Sequence, residues 1–263
     1  MKTSEITCKY AMSPSGLPGY DYAINPYRGC GHGCAYCYAP DILWEEREWG
    51  TFVDVKRNLP KILSKEVKKR KKGIVGIGTV TDAYQPAEKR FEVTRHALKQ
   101  LLKEDFPICI QTKSDLVLRD VDLIKKFSDA EVGFTVAFLN ENTRKLFEPN
   151  ASTIERRIDA LHKLGDEGIR KWAFVGPLLP HVAEQEYVEL AERLAYTGVD
   201  HVLVDRLNMK RSTRKNILKR LDGDVELQSV YSRNMTNSSR YRRMARIIVH
   251  ELESKGIQAK SVF

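Results

Sequence analysis

The sequence predicts one α/β domain, a partial, open (β/α)6 barrel of the TIM-like type, with a basic helical region towards its C-terminus. Three observations predict it. Six short apolar runs alternate with amphipathic stretches, and strands alternating with helices build right-handed parallel units. The 263 residues, 42% hydrophobic and 30% charged, suit a globular domain with a full core. Six units are too few to close an eight-stranded barrel; an open doubly wound sheet is the competing architecture. In either, function sits at the C-terminal ends of the strands.

The elements follow in order. "YDYAIN" (20–25) is an extended piece that leads into a cysteine-rich loop. "GIVGIGTV" (73–80), "FPICIQT" (106–112), "EVGFTVAF" (131–138), "KWAFVG" (171–176) and "DHVLVD" (200–205) read as buried strands. In "NLPKILSKEVKKRKK", Leu59, Ile62, Leu63 and Val67 repeat at helical spacing, with Asn58 placed to cap and Pro60 in the first turn. "AEKRFEVTRHALKQLL", "STIERRIDALHKLGDEG" and "EQEYVELAERLAYTG" behave likewise. Ser152 with Glu155 is a capping-box pattern, and Gly165 is a stop signal. "SSRYRRMARIIVHELESKG" is a helix with an apolar stripe of Tyr241, Met244, Ile248 and Leu252. No repeat or linker divides the chain, so residues 1–263 read as one domain, with a core over about 20–210 and an elaboration over about 206–263.

Charge is concentrated. The net charge is +9, yet 206–246 holds 12 Lys/Arg against Asp222, Asp224 and Glu226, and 56–72 holds nine against Glu66. Those runs carry +9 and +8, leaving −8 elsewhere. Such faces permit a nucleic-acid partner; solvated helix surfaces explain them equally. No apolar run reaches the ~18 residues of a membrane helix, and "MKTSEITCKY" lacks a signal core. The expectation is a cytoplasmic protein without structural disulfides, in keeping with five cysteines.

Three of those cysteines fall in "NPYRGCGHGCAYCYAP". Cys30, Cys34 and Cys37 are spaced C-x3-C-x2-C. Thiolates select iron–sulfur, zinc or copper(I). A cubane takes four thiolates, so three leave one iron open to another ligand. Gly29, Gly31 and Gly33 permit close backbone approach to sulfides. A zinc site needs His32 as a fourth ligand, cramped two residues from each neighbouring cysteine.

The spacing, with an aromatic before the third cysteine on the first loop of a βα series, resembles the radical S-adenosylmethionine (SAM) superfamily. "NPYRGCGHGCAYCYA" and "GTVTDAYQPAEKRFEVTR" resemble its spore photoproduct lyase-like, or DNA repair photolyase, branch, over about residues 20–210. The resemblance implies a 4Fe-4S cluster held by Cys30, Cys34 and Cys37, whose open iron chelates SAM. One electron, from a donor such as ferredoxin or flavodoxin, then yields methionine and a 5′-deoxyadenosyl radical that abstracts hydrogen from a substrate. It implies cofactor-binding roles for Thr81 and Asp82, towards the methionine ammonium; for Lys113, towards its carboxylate; and for Gly176 and Pro177, beside the adenine. Tyr36, before the third cysteine, is placed to lay its ring beside a base, and Thr135, polar in an apolar run, to touch the ribose. Each has a plainer reading: Asp82 as a helix cap, Lys113 as an exposed strand end, Thr135 as a partner for a backbone carbonyl, Gly176-Pro177 as a turn. Asp205, Arg206 and Asn208 face the cavity mouth or pair among themselves. Arg28 raises the potential of a reduced cluster or is a surface charge. Cys109, lower on the same strand face as Lys113 and Gln111, reads as floor packing.

The lyase itself donates hydrogen from a cysteine after the second strand. Here that loop reads Gly78-Thr79-Val80-Thr81-Asp82. Tyr36, Tyr38 and Tyr84 are substitutes for that relay, and each also has a packing role; Tyr38 and Tyr84 stand as the catalytic candidates. Three functions are therefore open: a radical enzyme acting on nucleic acid, as a DNA-lesion lyase or RNA modifier; the same chemistry on a protein or small molecule; and a zinc- or cluster-bearing nucleic-acid binder without catalysis.

Overall fold

The computed structural model of the protein describes residues 1–263. Its strands are β1 (Lys2–Ile6), β2 (Met12–Pro14), β3 (Tyr22–Ile24), β4 (Tyr27–Arg28), β5 (Phe52–Lys56), β6 (Val75–Ile77), β7 (Ile108–Thr112), β8 (Ala130–Thr135), β9 (Arg170–Leu178), β10 (His201–Arg206) and β11 (Gln258–Ser261). Its helices are α1 (Ala39–Leu43), α2 (Leu59–Glu66), α3 (Glu88–Phe91), α4 (Val93–Leu102), α5 (Val121–Ile124), α6 (Glu141–Phe147), α7 (Ile154–Asp166), α8 (Glu184–Tyr196), α9 (Arg211–Arg220), α10 (Val225–Asn234) and α11 (Ser238–Ser254). A 3-10 turn spans Asp115–Asp120.

The main sheet has eight strands in the order β11-β10-β9-β8-β7-β6-β3-β2. Strands β3, β6, β7, β8, β9 and β10 are the six expected from the sequence, and consecutive ones pair in parallel. The sheet stays open: β2 closes one edge as an antiparallel partner of β3, and β11 adds a parallel strand beside β10. Alternation on β7 explains its fit. Ile108 and Ile110 enter the 63-residue apolar core, while Cys109 and Gln111 face the other way. Gly133 on β8 is required by packing, since a Cβ there would stand 2.1 Å from the Trp172 ring of β9. A second sheet, β1-β5-β4, flanks the cysteine loop. Its strands are short, as are β2 and β11, and too few residues in each carry a period for them to be read from sequence.

Several helix boundaries differ from expectation, each for a local reason. Helix α2 ends at Glu66, whose carboxylate turns back to accept the Met12 amide at 2.8 Å. Asn58 does not cap it; its amide group instead clasps the Cys8 backbone, at 2.8 and 2.9 Å. The stretch after Ala87 breaks into α3 and α4 at Glu92, φ 50°, because buried Glu88 accepts the Thr94 and Arg95 amides. Thr153, not Ser152, caps α7, and Ser152 bonds Asp115. Gly165 lies inside α7, where a Cβ would meet Lys171 Nζ; the chain turns instead at Gly168, φ 69°. Helix α11 buries the expected stripe of Tyr241, Met244, Ile248 and Leu252. No helix is long and apolar enough to cross a membrane.

Candidate active site

The cysteine loop leaves β4 at the C-terminal end of β3. Gly29 and Gly33 adopt φ of 84° and 63°, so the chain turns twice within five residues. Two groups of the neighbouring chain clasp it. On one side Gln85, fully buried, accepts the Gly31 amide at 2.7 Å and donates to the Gly29 carbonyl at 3.2 Å; Thr81 donates to that same carbonyl at 2.7 Å. On the other, Asn150 donates to the Gly31 carbonyl at 2.9 Å, and the Ala35 amide donates to the Phe147 carbonyl at 2.9 Å. The loop is thus held by the segment after β6 and the end of α6. Arg28, which precedes it, donates to Glu45 at 2.8 Å.

Cys30 and Cys34 are buried and Cys37 half-buried, each without a disulfide. Burial pushes all three thiols up to about 12. Each thiol also feels another's charge: Cys30 that of Cys37, Cys34 that of Cys30, Cys37 that of Cys34. All three stand on one clasped loop, within eight residues. The Asp82 and His32 amides at Cys30, and the Ala39 amide and Trp49 side chain at Cys37, favour the thiolate in part.

From this loop a continuous polar network joins most of the candidates read from sequence. Asp82 accepts from Thr112 Oγ1 at 2.7 Å, the Lys113 amide at 2.8 Å and the Tyr84 amide at 2.9 Å. His32 Nδ1 lies 3.3 Å from its Oδ2, buried and without a hydrogen bond. Burial alone would raise this carboxyl; His32, Thr112 and Lys113 pull it well below the usual carboxylate range. Lys113 Nζ sits 5.7 Å from the Tyr36 ring centroid. Burial disfavours its ammonium, but Cys34, Glu148 and Asp82 outweigh that and raise its pKa. The Tyr36 hydroxyl donates to Glu148, which pairs with Arg157 at 2.5 Å; both charged side chains are fully buried. Arg157 in turn donates to the Thr135 carbonyl at 3.0 Å, and Thr135 Oγ1 accepts from Gln111 at 3.3 Å.

The side chains of the remaining candidates lie apart from that network. Gly176 is in β9, where a Cβ would strike the Phe174 ring at 2.5 Å and Asp205 Cβ at 3.2 Å; Pro177 follows it in the strand. Asp205 accepts from the Arg206 amide and from Asn208, and makes no ion pair with the Arg206 side chain. Tyr38 is 41% exposed, and its hydroxyl donates to the Thr79 carbonyl at 2.8 Å. Tyr84 is fully buried with its hydroxyl 3.2 Å from Asp120, inside an ion cluster that includes Glu88, Arg95 and Arg119. Cys109 lies buried 3.4 Å from the Tyr20 hydroxyl.

The donor set discriminates between groups that could bind. A mononuclear zinc needs its donors to converge on one point at ~2.0–2.3 Å. No three His, Cys, Asp or Glu side chains converge in that way. A cubane spreads three thiolates over three irons and asks only for a shared, enclosed space bounded by soft donors. Cys30, Cys34 and Cys37 supply three soft donors, enclosed and without disulfides, on one clasped loop, which suits such a group.

A family model places the chain. Residues 24–194, which hold the cysteine loop and the parallel strands up to β9, match the model described as the radical SAM superfamily. The chain belongs to the radical SAM superfamily. It is 34% identical to an uncharacterized protein of Methanocaldococcus jannaschii, over 98% of this chain and 96% of that one. It is 25% identical to a protein of Pseudomonas phage M6 named a radical SAM Nalpha-GlyT isomerase, over 78% of this chain and 43% of that one. In fold it resembles a spore photoproduct lyase variant solved with AdoMet and dinucleoside spore photoproduct, with a TM-score of 0.77, 17% identity, and coverage of 99% and 81%. It also resembles Streptococcus suis SuiB bound to S-adenosylmethionine, with a TM-score of 0.61, 12% identity, and coverage of 92% and 50%. As a radical SAM chain it is an enzyme with an open, parallel α/β sheet.

Four residues of this radical SAM site escape a reading of the sequence alone. Gln85 lies inside "GTVTDAYQPAEKRFEVTR", so the signal was present without a role attached. Asn150 carries none. Arg157 falls on the apolar stripe of α7 with Ile154, Ile158 and Leu161, and an arginine in such a stripe marks a buried charge needing a partner. Glu148 is that partner, but nothing local in the sequence pairs the two.

Proposed function

We propose that this radical SAM enzyme holds a 4Fe-4S cluster on Cys30, Cys34 and Cys37, binds SAM beside it, and acts on a nucleic-acid substrate. The observation that carries the cofactor reading is three enclosed, unpaired cysteines in a C-x3-C-x2-C loop clasped by Gln85, Thr81 and Asn150. Once bound and reduced, cluster and SAM together supply a 5′-deoxyadenosyl radical able to abstract hydrogen from carbon.

The chain's own groups prepare the place. Gln85, Thr81 and Asn150 fix the loop so that the three thiols need little reordering. Lys113 offers an ammonium without a carboxylate partner for the methionine carboxylate. Asp82 already spends its oxygens on Thr112, Lys113 and Tyr84, so it positions the Lys113 backbone besides facing any ammonium. Tyr36 is locked through Glu148 and Arg157, which keeps its ring beside Lys113. Of the two tyrosines considered for hydrogen transfer, Tyr38 is accessible and reaches the Gly78–Asp82 loop, while the Tyr84 hydroxyl is enclosed on Asp120. Tyr38 is accordingly the relay. An electron donor such as ferredoxin or flavodoxin completes the system.

The nucleic-acid reading is supported by Lys210, Arg211 and Arg214 on and before α9, exposed cations that lack carboxylate partners. The dinucleoside bound in the similar lyase supports it too. The test is isotopic. Oligonucleotides deuterated at base or sugar carbons are incubated with reduced enzyme and SAM, and 5′-deoxyadenosine is analysed by mass. Deuterium in 5′-deoxyadenosine supports the reading. SAM cleavage that never acquires label from DNA or RNA, but does from a peptide, would replace it with the protein-modifying alternative. Tyr38→Phe is expected to slow product formation at least tenfold while leaving uncoupled SAM cleavage in place; equal product rates would remove Tyr38 from that role.

A further inference from the structure

The C-terminal elaboration contains a cleft that the chemistry above does not use. It lies between α9 and the end of α10, has a volume of about 340 Å³, and is lined by Met209, Lys210, Arg211, Arg214, Met235 and Thr236 among others. A second cleft of similar size shares Met209, Lys210, Met235 and Thr236 and extends the space to Arg206 and Asn208, at the C-terminal end of β10. The surface is therefore continuous with the functional end of the sheet.

Helix α9 separates this cleft from the cysteine loop, and its two faces differ. Thr213 and Ile217 are buried, and Thr213 donates to the Cys37 carbonyl at 3.5 Å. Ser212 bonds Asp41 of α1, so that carboxylate is already engaged. Arg211, Arg214 and Leu218, spaced i, i+3 and i+7, present the opposite face to the cleft. Lys210, Arg211 and Arg214 are exposed, and none has a carboxylate within the 4.0 Å that defines an ion pair, whereas Lys219 pairs with Glu48 and Arg243 with Glu184. No acidic residue occupies the first turn of α9. Three unneutralised cations there oppose the helix dipole, an arrangement that an anion relieves.

We infer that this cleft binds the phosphodiester backbone of the nucleic-acid substrate: Lys210, Arg211 and Arg214 meet phosphates, and the Met209–Met235 wall takes the apolar face of an adjoining base. The inference rests on the nucleic-acid reading and adds where the strand lies. Its chemistry suits phosphates on a base-bearing chain, because the cations are rimmed by thioethers and a hydroxyl, not by further charge alone. The other strongly basic run, 56–72, takes no part.

The test uses the full chain, DNA and RNA oligonucleotides in single-stranded and duplex form, and a range of salt. Lys210→Gln/Arg211→Gln/Arg214→Gln is compared with Lys68→Gln/Lys69→Gln/Lys71→Gln/Lys72→Gln, each checked for folding by circular dichroism. Each lost phosphate contact lowers the slope of log affinity against log salt by about 0.7–0.9, so the first variant loses about 2.1–2.7 units of slope and the second none. Hydrogen exchange on the unaltered protein gives an independent readout: oligonucleotide protects 206–218 and 232–238. Four outcomes overturn the inference. An unchanged slope in the cleft variant, with loss in the lysine variant, moves the contact elsewhere and leaves the nucleic-acid reading standing. No binding of any oligonucleotide by the unaltered protein removes that reading and the cleft's role together. Competition by an acidic peptide but not by an oligonucleotide assigns the cleft to a protein. Absence of protection at 206–218 refutes the placement.

Discussion

Two regions carry almost the same charge, +8 over 56–72 and +9 over 206–246, and the fold sends them to different places. The first ends in the exposed Lys68, Lys69, Lys71 and Lys72, just before β6, at the end of the sheet opposite the cysteine loop; the Lys71 carbonyl there accepts the Tyr22 hydroxyl at the start of β3. The second begins where β10 reaches the functional end, and α9 then runs beside the loop with Thr213 on the Cys37 carbonyl. The farther part of that second run lies on α11, where Arg243 pairs with Glu184 and Arg240 donates to the Pro180 carbonyl. Net charge alone makes the two runs nearly equal; topology sets the lysine cluster of 68–72 away from the chemistry and α9 beside it.

The largest contrast between the near and far regions is catalytic. Cys34→Ala is expected to abolish SAM cleavage, while Lys68→Gln/Lys69→Gln/Lys71→Gln/Lys72→Gln leaves it unchanged, as measured by 5′-deoxyadenosine released under dithionite. Loss in the lysine variant would break the comparison.

Stability gives the next contrast. Arg157→Ala strands buried Glu148 without its partner and should cost about 3–5 kcal/mol. A single Lys→Gln in the far run should stay within about 0.5 kcal/mol. Urea denaturation compares them, and equal midpoints would contradict the buried pair as a keystone of the site.

Acid sensitivity sharpens the same contrast. His181 stacks on Phe147, 5.5 Å between centroids, and its Nδ1 lies 3.0 Å from the Tyr231 hydroxyl, tying α10 to the segment that holds the cysteine loop. Burial lowers its pKa to about 4, with Asp224 opposing slightly. The folded form thus prefers neutral imidazole, and the unfolded chain, near pH 6.5, binds the proton first. Its contribution is present above about pH 6.5 and lost as pH falls towards 4, on the order of 3 kcal/mol in all. His181→Phe should flatten the stability profile across that window; an unaltered profile would show that the ring is not held neutral.

Affinity for SAM should show a smaller effect. Lys113→Ala removes one charge-assisted bond, about 1.5–3 kcal/mol, or roughly 10- to 100-fold in Kd. Unchanged affinity by equilibrium dialysis would remove Lys113 from the cofactor site.

Much of this was legible in the sequence because it is periodic or dense. Six parallel strands announce themselves as apolar runs, and three cysteines in eight residues announce a ligand loop. The parts that were not legible depend on long-range closure. Strands β1 and β5 are short pieces that pair across 50 residues of chain. Asn58 looks like a cap until Cys8 is brought to it. Ser152 and Glu155 form a capping pattern whose members are drawn away to Asp115 and Arg193. Glu148 and Arg157 lie in separate elements, and only the fold reveals them as one buried pair locking Tyr36.

The most direct test of the central claim is anaerobic reconstitution with iron and sulfide, followed by reduction in the presence of SAM. The expected result is a brown protein with about four irons per chain that yields methionine and 5′-deoxyadenosine, and loses both iron and turnover when Cys30, Cys34 and Cys37 are replaced together. A colourless protein that retains zinc through those cysteines and leaves SAM intact would contradict it.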